Sequence, residues 1–534
     1  MRNVLRLLVL GCLFVFASST CTCDGGGGDT TPPTVIATTP AAGATGVPGS
    51  TTVTATFSEA MDPATLTTIT FRLRNGATDV AGSVTLDAPT NTARLTPAAP
   101  LDADVTYTAT VTTGAADIAG NHLAADFTWS FTTAPTPIAW EQVGGQASLT
   151  GQASEDPTMM VLGTMPAVGY RHGSFETRLV TWDGSAWDTS APDPTGGETN
   201  SSIYGTPSFC NQGSNVFMAY SHAGDAAASD DTFYDRIFGY SWDETAGWQP
   251  RNGGEELSTV WDAGLGGANA WEPAIACAAS GDPRVAWVES DVAADPDTED
   301  GAWIADLPAS AASDRSGILS RNDVIADYTT AVRTVGLEVD GTTAYVAQWE
   351  SDAVDQDRTD LYVTRWNGTT PTPLGASLAD DYDYNELCVP SLAVLDGELY
   401  VAFSQANSTD YTKQIYVAHW TGSAWERVGT GPVSAFSAAE HYDSENPDLA
   451  VIDGGLWVAW GEQDQSTGTY IFVARWDATA SSWVLEGERL NVDPAHAALD
   501  PSLAYSPTDS RVYVAFEENT DGWSHIFVRR RQVE

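Results

Sequence analysis

AWEQVG (Ala139 to Gly144) reappears almost unchanged as AWERVG (Ala424 to Gly429), about 285 residues further on. The second copy closes a unit that recurs in tandem through roughly the last 400 residues, whereas the first stands alone, ahead of the first full unit. At the other end the chain stops after IFVRRRQVE (Ile526 to Glu534), with that closing segment missing. A strand left over at the start and one missing at the end predict a ring closed by its own two ends.

The units themselves support this. Each opens with a proline before a small, apolar strand: Pro157, Pro207, Pro273, Pro390, Pro447 and Pro501, with VGLEV from Val335 standing in between Pro273 and Pro390. The spacing between neighbouring prolines runs from 50 to 66 residues, enough for four strands. A second strand follows, as in RVAWVES (Arg284 to Ser290), LWVAWGE (Leu456 to Glu462) and VYVAFEE (Val512 to Glu518). A third ends in Trp366, Trp420 or Trp476, and a fourth is headed by Trp187, Trp248, Trp425 or Trp483. Strands apolar on both faces belong to stacked sheets. The expected fold is therefore all-β, with a β-propeller of seven four-stranded blades over residues 138–534 and its last blade closed by residues 139–144. The third unit lacks a fourth-strand Trp. The pattern is similar to the broad group of secreted propellers related in shape to kelch and sialidase-like proteins. It departs from them in lacking true Asp boxes and systematic paired glycines; DGSAW (Asp183 to Trp187) and TGSAW (Thr421 to Trp425) keep only the end of such a box.

Ahead of the repeats, Arg2 and Arg6 border or enter an apolar run from Val4 to Ala17, too short for a comfortable membrane span, and CTCDGGGGDTTPP follows. This predicts a secretory signal over 1–20 and a Gly-rich stalk over 21–28, with lipidation at Cys21 (alternatively Cys12) tethering the protein to a membrane. Residues 29–133 hold alternating segments such as TTVTATF, VTYTATV and FTWSFTT, broken by turn residues at sandwich spacing. Their ordered pieces DTTPPTV, GVP, FSEAMDP (Phe57 to Pro63), TPAAPL, DIAGN (Asp117 to Asn121) and WSFTT resemble the bacterial Ig-like family of surface-layer and other secreted proteins. That resemblance implies a spacer or adhesion module without catalysis. Glu59 and Asp62 are read as turn residues, and 134–137 as a short linker.

The 534 residues are 42% hydrophobic with 19 Trp, ample for several folded cores. Acids outnumber bases 71 to 23 for a net charge of −48, and Lys413 is the single lysine. Such a body repels nucleic acid and anionic membrane surfaces, leaving a lipid anchor as its one route to a membrane. Among the cysteines beyond the leader, Cys210 and Cys277 occupy similar positions in consecutive units and are close enough in pattern to meet, with two small buried thiols the expected state; Cys388 is left over.

Tight turns such as DGEL (Asp396 to Leu399) and DGSA place the long loops on the opposite face, where binding sites concentrate. The acids there are Glu289, Asp291, Glu350, Asp352, Glu462 and Glu517, and the aromatics include Trp261, Trp271, Tyr382, Tyr384 and Tyr442. Aromatic platforms beside carboxylates suit sugars or cationic peptides; the plainer reading is aromatics packed under loops and acids in water. Asp295, Asp297 and Glu299, and separately Asp352 and Asp360, form acidic loops with the oxygen chemistry of calcium, although neither alone supplies a full set. No zinc spacing is present. Arg365, His419, Arg475 and Arg529 recur at one place before the strand-end Trp, a structural signature, since catalytic groups differ from repeat to repeat. The expected function is a monomeric, non-catalytic surface protein whose Ig-like spacer presents a propeller to a protein or glycan. A carbohydrate-active hydrolase or lyase on the same face is the alternative, and a structural envelope component the third.

Overall fold

In the structure, a computed structural model, the described residues are 29–134, 140–173, 176–194, 206–223, 235–254, 257, 270–290, 300–309, 332–351, 359–368, 370–381, 388–406, 412–436, 441–464 and 468–533. The chain divides into two compact units, Met1–Thr136 and Pro137–Glu534. In the first, two antiparallel four-stranded sheets face each other. One takes Val35–Thr39, Val53–Phe57, Thr92–Pro97 and Gly82–Asp87 in that order, the other Thr78–Asp79, Phe71–Asn75, Thr106–Val111 and Phe127–Thr132. Strict alternation, as in the buried Val53, Ala55 and Phe57, delivers one face of each sheet to a core built on Phe57, Phe71, Tyr107, Trp129 and Phe131.

The second unit holds seven sheets among the described residues. Their first strands are Ser154–Leu162, Ser208–Gln212, Ala270–Ala276, Val332–Asp340, Ser391–Leu395, His441–Ile452 and Ala498–Ser506. Each of these touches the first strand of the next sheet, and the last touches the first. Within every sheet the second and third strands step outward from the first in chain order. A cyclic stack of radial sheets around an inner ring of first strands is a β-propeller. Type I′ chemistry makes the inner hairpins tight: Asp396–Gly397 and Asp453–Gly454 both have positive φ, the twist a two-residue hairpin needs.

The ring closes through the leftover segment. Glu141–Gln142 pairs with the final strand Ser524–Gln532, setting Gln142 opposite Arg529 and Glu141 opposite Arg530. The pairing continues as the Val143 N–H donates to Val528 O and the Ala147 N–H to Ile526 O. A repeated tryptophan device shows how adjacent sheets lock. Trp425 and Trp483 each donate their indole N–H to a carbonyl of the preceding sheet's outer end, Leu374 O at 2.8 Å and Val428 O at 3.1 Å. Trp140 does the same to Glu486 O (2.5 Å), and Trp187 in turn donates to Val143 O at 3.0 Å. Residues 140–143 thus both give and receive the inter-sheet bond. Gly144, at φ +66°, lies so close under Trp182 that a β-carbon would strike the ring, as Gly375 does under Trp420. Val143 is 1% exposed in a core shared with Met159, Tyr170, Tyr513 and Val528.

Two expectations are corrected. Cys210 and Cys277 are joined in a disulfide, not free thiols: the same place on adjacent first strands sets their Cα atoms 5.7 Å apart, within bridging range. The recurrent cation of the last unit is Arg530, not Arg529, because Arg530 stands opposite Tyr513 as Arg475 stands opposite Trp457 and His419 opposite Tyr400. Arg530 ion-pairs with Glu141 across the closing strand at 3.2 Å, while Arg529 donates to Leu490 O and Asn491 O. The third sheet has three strands among the described residues.

Candidate functional site

The recurrent prolines set the site. A proline in the inner strand has no N–H for the ladder, and the register skips there between Glu155 and Thr158, Trp271 and Ala274, Glu445 and Asp448, and Leu499 and Ser502. The residue just before the proline takes a left-handed conformation at Asp156 (φ 58°), Glu272 (50°), Asn446 (50°) and Asp500 (49°). Asp and Asn tolerate this region; for Glu272 it is strained. Four bulges on the inner ring therefore bring polar residues toward a common centre, three of them acids. Their charges reach one another across sheets: Asp156 acts on Glu272, and both Asp156 and Glu445 act on Asp500.

Glu517, on the second strand of the last sheet, completes the cluster. It is 6% exposed, its carboxyl faces Asp500 within hydrogen-bonding reach, and its Oε2 has no partner. Burial first, then the negative charges of Asp500, Asp156 and Glu155, holds the Glu517 pKa well above the ordinary glutamate range. Glu272 is pushed up to about 7 by burial and by Asp156, and its Oε2 is likewise buried without a partner. Asp156 is raised by burial even though Arg171 contacts it at 3.1 Å. That arginine, also 2.5 Å from Glu155, is the compensating cation on this side. On the other side Lys413, buried, pairs with Glu445 at 3.0 Å, and its backbone N–H donates to Asp443. Beneath them Asp448, raised to about 6 by burial, ties three sheets together by accepting from Ser391 Oγ (3.1 Å) and the Leu503 N–H (2.6 Å). A cavity of about 300 Å³ opens beside the cluster, lined by Asp443, Glu445, Asn446, Gln463, Leu499 and Asp500 among others.

Of the acids expected to face a ligand, Glu462 instead faces its own crossover loop, and Glu289 and Glu350 are buried. Glu462 is fully buried and accepts from the Trp460 indole (2.8 Å), the Ala435 and Phe436 N–H groups (2.8 and 3.1 Å) and Ser434 Oγ (2.5 Å). Glu289 accepts from the Trp287 indole at 2.8 Å and Glu350 from the Gln348 amide at 2.5 Å, both buried at the same strand position. Glu462 thus satisfies donors that would otherwise be stranded in its crossover loop, as Glu518 does at the same position of the last sheet by accepting from the Val492 and Asp493 N–H groups. Asp360 is buried too, accepting from Tyr362 OH and Ser377 Oγ at 3.3 Å each. Trp271 is half-buried against the core between the third and fourth sheets. Of the expected acids among the described residues, Glu517 alone joins the central cluster. Asp291, Asp295, Asp297, Glu299, Asp352, Trp261, Tyr382, Tyr384, Cys12, Cys21 and the side chain of Tyr442 lie outside the described residues. The signal that finds Asp156, Glu272 and Asp500 is the letter before each recurrent proline, and Glu517 stands where the preceding unit has Gly461.

In the first unit Glu59, set aside as a turn residue, meets Asp29 and Asp117, each offering one oxygen within 4.8 Å of the others. Asp117 accepts from the Asn121 N–H and side-chain amide (2.8 Å each), and Asp62 accepts from the Ala64 N–H at the start of a 3-10 turn.

The family model for the bacterial Ig-like domain matches residues 29–133. Residues 29–133 are a bacterial Ig-like domain. No curated protein matches the chain. Among solved structures, a Trypanosoma rangeli sialidase in complex with the inhibitor DANA is 12% identical, with a TM-score of 0.38 over 71% of this chain and 55% of that one. The chain thus spans about half the length of that sialidase. The polysaccharide lyase Uly1 is 9% identical, with a TM-score of 0.46 over 74% of this chain and 98% of the lyase. The lectin SapL1, in complex with alpha methyl fucoside, is 14% identical, with a TM-score of 0.36 over 64% and 98% respectively. No helix among the described residues is long and apolar enough to cross a membrane.

Proposed function

We propose that this is an exported bacterial surface protein, tethered through an acylated Cys21, in which the Ig-like domain is a spacer and a seven-bladed propeller binds a protein or glycan without turning it over. The observation that carries the reading is the division of labour among the acids. Those at the end of the second strand are consumed by loop donors, as at Glu462, while those before the recurrent prolines, joined by Glu517, gather at the axis beside an open cavity. The central pair also lacks glycosidase geometry. Asp500 and Glu517 are within hydrogen-bonding reach of each other, whereas a retaining pair stands about 5 Å apart and an inverting pair further. Electrostatics of this kind supports recognition rather than hydrolysis.

Glycan and peptide arrays probed with the full chain test this reading, followed by incubation of each bound ligand with the protein. Retention on at least one array with ligand recovered intact is the expected result. Release of reducing ends, or of unsaturated ends, from a polysaccharide would instead establish a hydrolase or a lyase.

A further inference from the structure

We propose that the end of the Ig-like domain where the chain enters is a membrane-facing tip, which rests the Ile69 and Ile118 side chains in a zwitterionic lipid surface. The inference rests on the acylated Cys21 of the reading above and adds a second contact with the same membrane.

Strand order gathers the pieces of this tip. One loop joins Val53–Phe57 to Phe71–Asn75 and another joins Thr106–Val111 to Phe127–Thr132, both at the end where residue 29 enters. The chain leaves past Thr133 at the opposite end, where the Ala134 N–H donates to Val47 O. The entering segment is fastened to both loops: the Ser58 N–H donates to Thr34 O (2.9 Å), and the Asn121 side-chain amide to Asp29 O (2.9 Å). The loops are fastened to each other as well. The Ile118 N–H donates to Ala60 O at 3.2 Å, and the Ala116 N–H to Thr65 Oγ1 at 3.1 Å. Ile69 and Ile118 are thus held on one braced tip, and little freedom is lost when they meet a surface.

Exposure singles this end out. The three most exposed large apolar side chains among the described residues are Ile69 (78%), Ile118 (73%) and Ile36 (65%), and all three lie here, with the exposed Phe127 opening the strand beside them. Between Ala60 and Thr70, and between Thr113 and Ala125, the acids are Asp62 and Asp117, one capping Ala64 and the other buried against Asn121. Apolar side chains scattered singly over a surface are ordinary. A group of them on one end of a chain with net charge −48 marks a contact.

The entering chain says what is met. Cys21 lies eight residues before Asp29, and eight residues fully extended span at most about 28 Å. An acyl group on Cys21 therefore keeps the tip within that distance of the bilayer, where its effective concentration lets a weak apolar contact persist. Side chains standing so far out present convex surface, which a protein partner must match with a hollow and a lipid surface yields to. Charge then selects the lipid. Residues 29–36, 58–70 and 112–126 hold five acids and no lysine or arginine, so anionic headgroups are repelled and zwitterionic ones are not.

The test places the acylated full chain in phosphatidylethanolamine–phosphatidylcholine vesicles that contain a photoactivatable phosphatidylcholine, and maps lipid adducts by mass after irradiation. Adducts on the peptides holding Ile69 and Ile118, besides those on the leader, are the expected result. Ile69→Asn with Ile118→Asn, checked for an unchanged melting temperature, should lower the tip adducts at least tenfold and leave those of the leader. Replacing half of the lipid by phosphatidylglycerol should lower them too; a rise would overturn the zwitterionic assignment. Adducts on the leader alone overturn the proposal while the anchor stands. A chain that does not float with the vesicles overturns the anchor and the contact together. A dimer of the Cys21→Ser chain that the double substitution dissociates overturns the proposal in favour of a second copy.

Discussion

A chain lacking Ala139 to Gly144 is expected to lose the cooperative unfolding transition of its repeat unit. The segment is short, but it occupies the one place where neighbours on both sides depend on it. Its removal takes Trp140 from the outer end of the sixth sheet and strips the final strand of its partner at Arg529 and Arg530. It also takes away the Val143 carbonyl that Trp187 uses and the glycine on which Trp182 lies. Burial of the valine and the tryptophan side chains is worth about 1.5–3 kcal/mol each. Every orphaned buried polar group adds roughly 1–3 kcal/mol more. The sum rivals the whole stability of a typical domain, about 5–15 kcal/mol. An edge strand of IFVRRRQVE left unpaired also invites pairing between chains. Calorimetry of the deletion should show either no transition for this unit or one at least 15 °C lower (an order-of-magnitude figure from the same energies), with aggregation. A transition matching the intact chain would mean the ring closes without this strand.

The axial acids predict a second large effect, on pH. Glu272 at about 7, Glu338 at about 8 and Asp448 at about 6 all sit above their ordinary values, chiefly through burial, and Asp156, Asp500 and Glu517 are raised as well. A carboxyl whose folded pKa is raised binds its proton more tightly folded than unfolded. Its contribution is full below the unfolded value near 4.5 and is lost as pH climbs through the folded value. Stability should therefore decline between about pH 5 and pH 8.5, by a few kcal/mol in total at roughly 1.4 kcal/mol per pKa step. The net charge of −48 pushes the same way, since self-repulsion grows as the last carboxyls ionise. His172, lowered by burial, works in the opposite sense below neutrality, one group against six. Asp183, Asp477 and Asp521, lowered by hydrogen bonds, matter only in stronger acid. Melting of the repeat unit in low salt should thus fall by several degrees from pH 5.5 to 8.5, and Glu517→Gln should flatten the slope. A melting temperature that rises over that interval would contradict the account of the cluster.

Much of the fold was legible because repetition exposes geometry. Trp187, Trp425 and Trp483 at the heads of the fourth strands each reach a carbonyl of the sheet before it, so a stray copy of their motif marks a strand in search of a sheet. The Ig-like order of FSEAMDP, TPAAPL and DIAGN was legible for a similar reason: Asp62 caps a turn and Asp117 holds Asn121, which fixes those letters. The disulfide was not, because two cysteines on adjacent strands look the same in sequence whether bonded or merely packed. The site was harder still. Glu462 and Glu517 both read as acids at a strand end, yet strand alternation turns one toward its own crossover loop and the other toward the axis. One step of register separates a structural carboxylate from a candidate ligand contact. The pre-proline acids are hidden in sequence because their role depends on the bulge that the proline's missing N–H creates, and Asp, Glu and Asn before a proline look like ordinary turn residues.

The repeat unit is a ring closed by its own first strand, and the most direct measurement is a cross-link across that closure. Gln142 and Arg529 stand opposite each other in the antiparallel pair, where β-carbons are about 4.5–5.5 Å apart and a disulfide can form with slight adjustment. In a Cys388→Ser background, Gln142→Cys with Arg529→Cys should oxidise to a bond within one chain. Peptide mass mapping should find it in the monomer, with the melting temperature unchanged or raised. Failure of the two cysteines to join, or their joining only between chains, would contradict the closure.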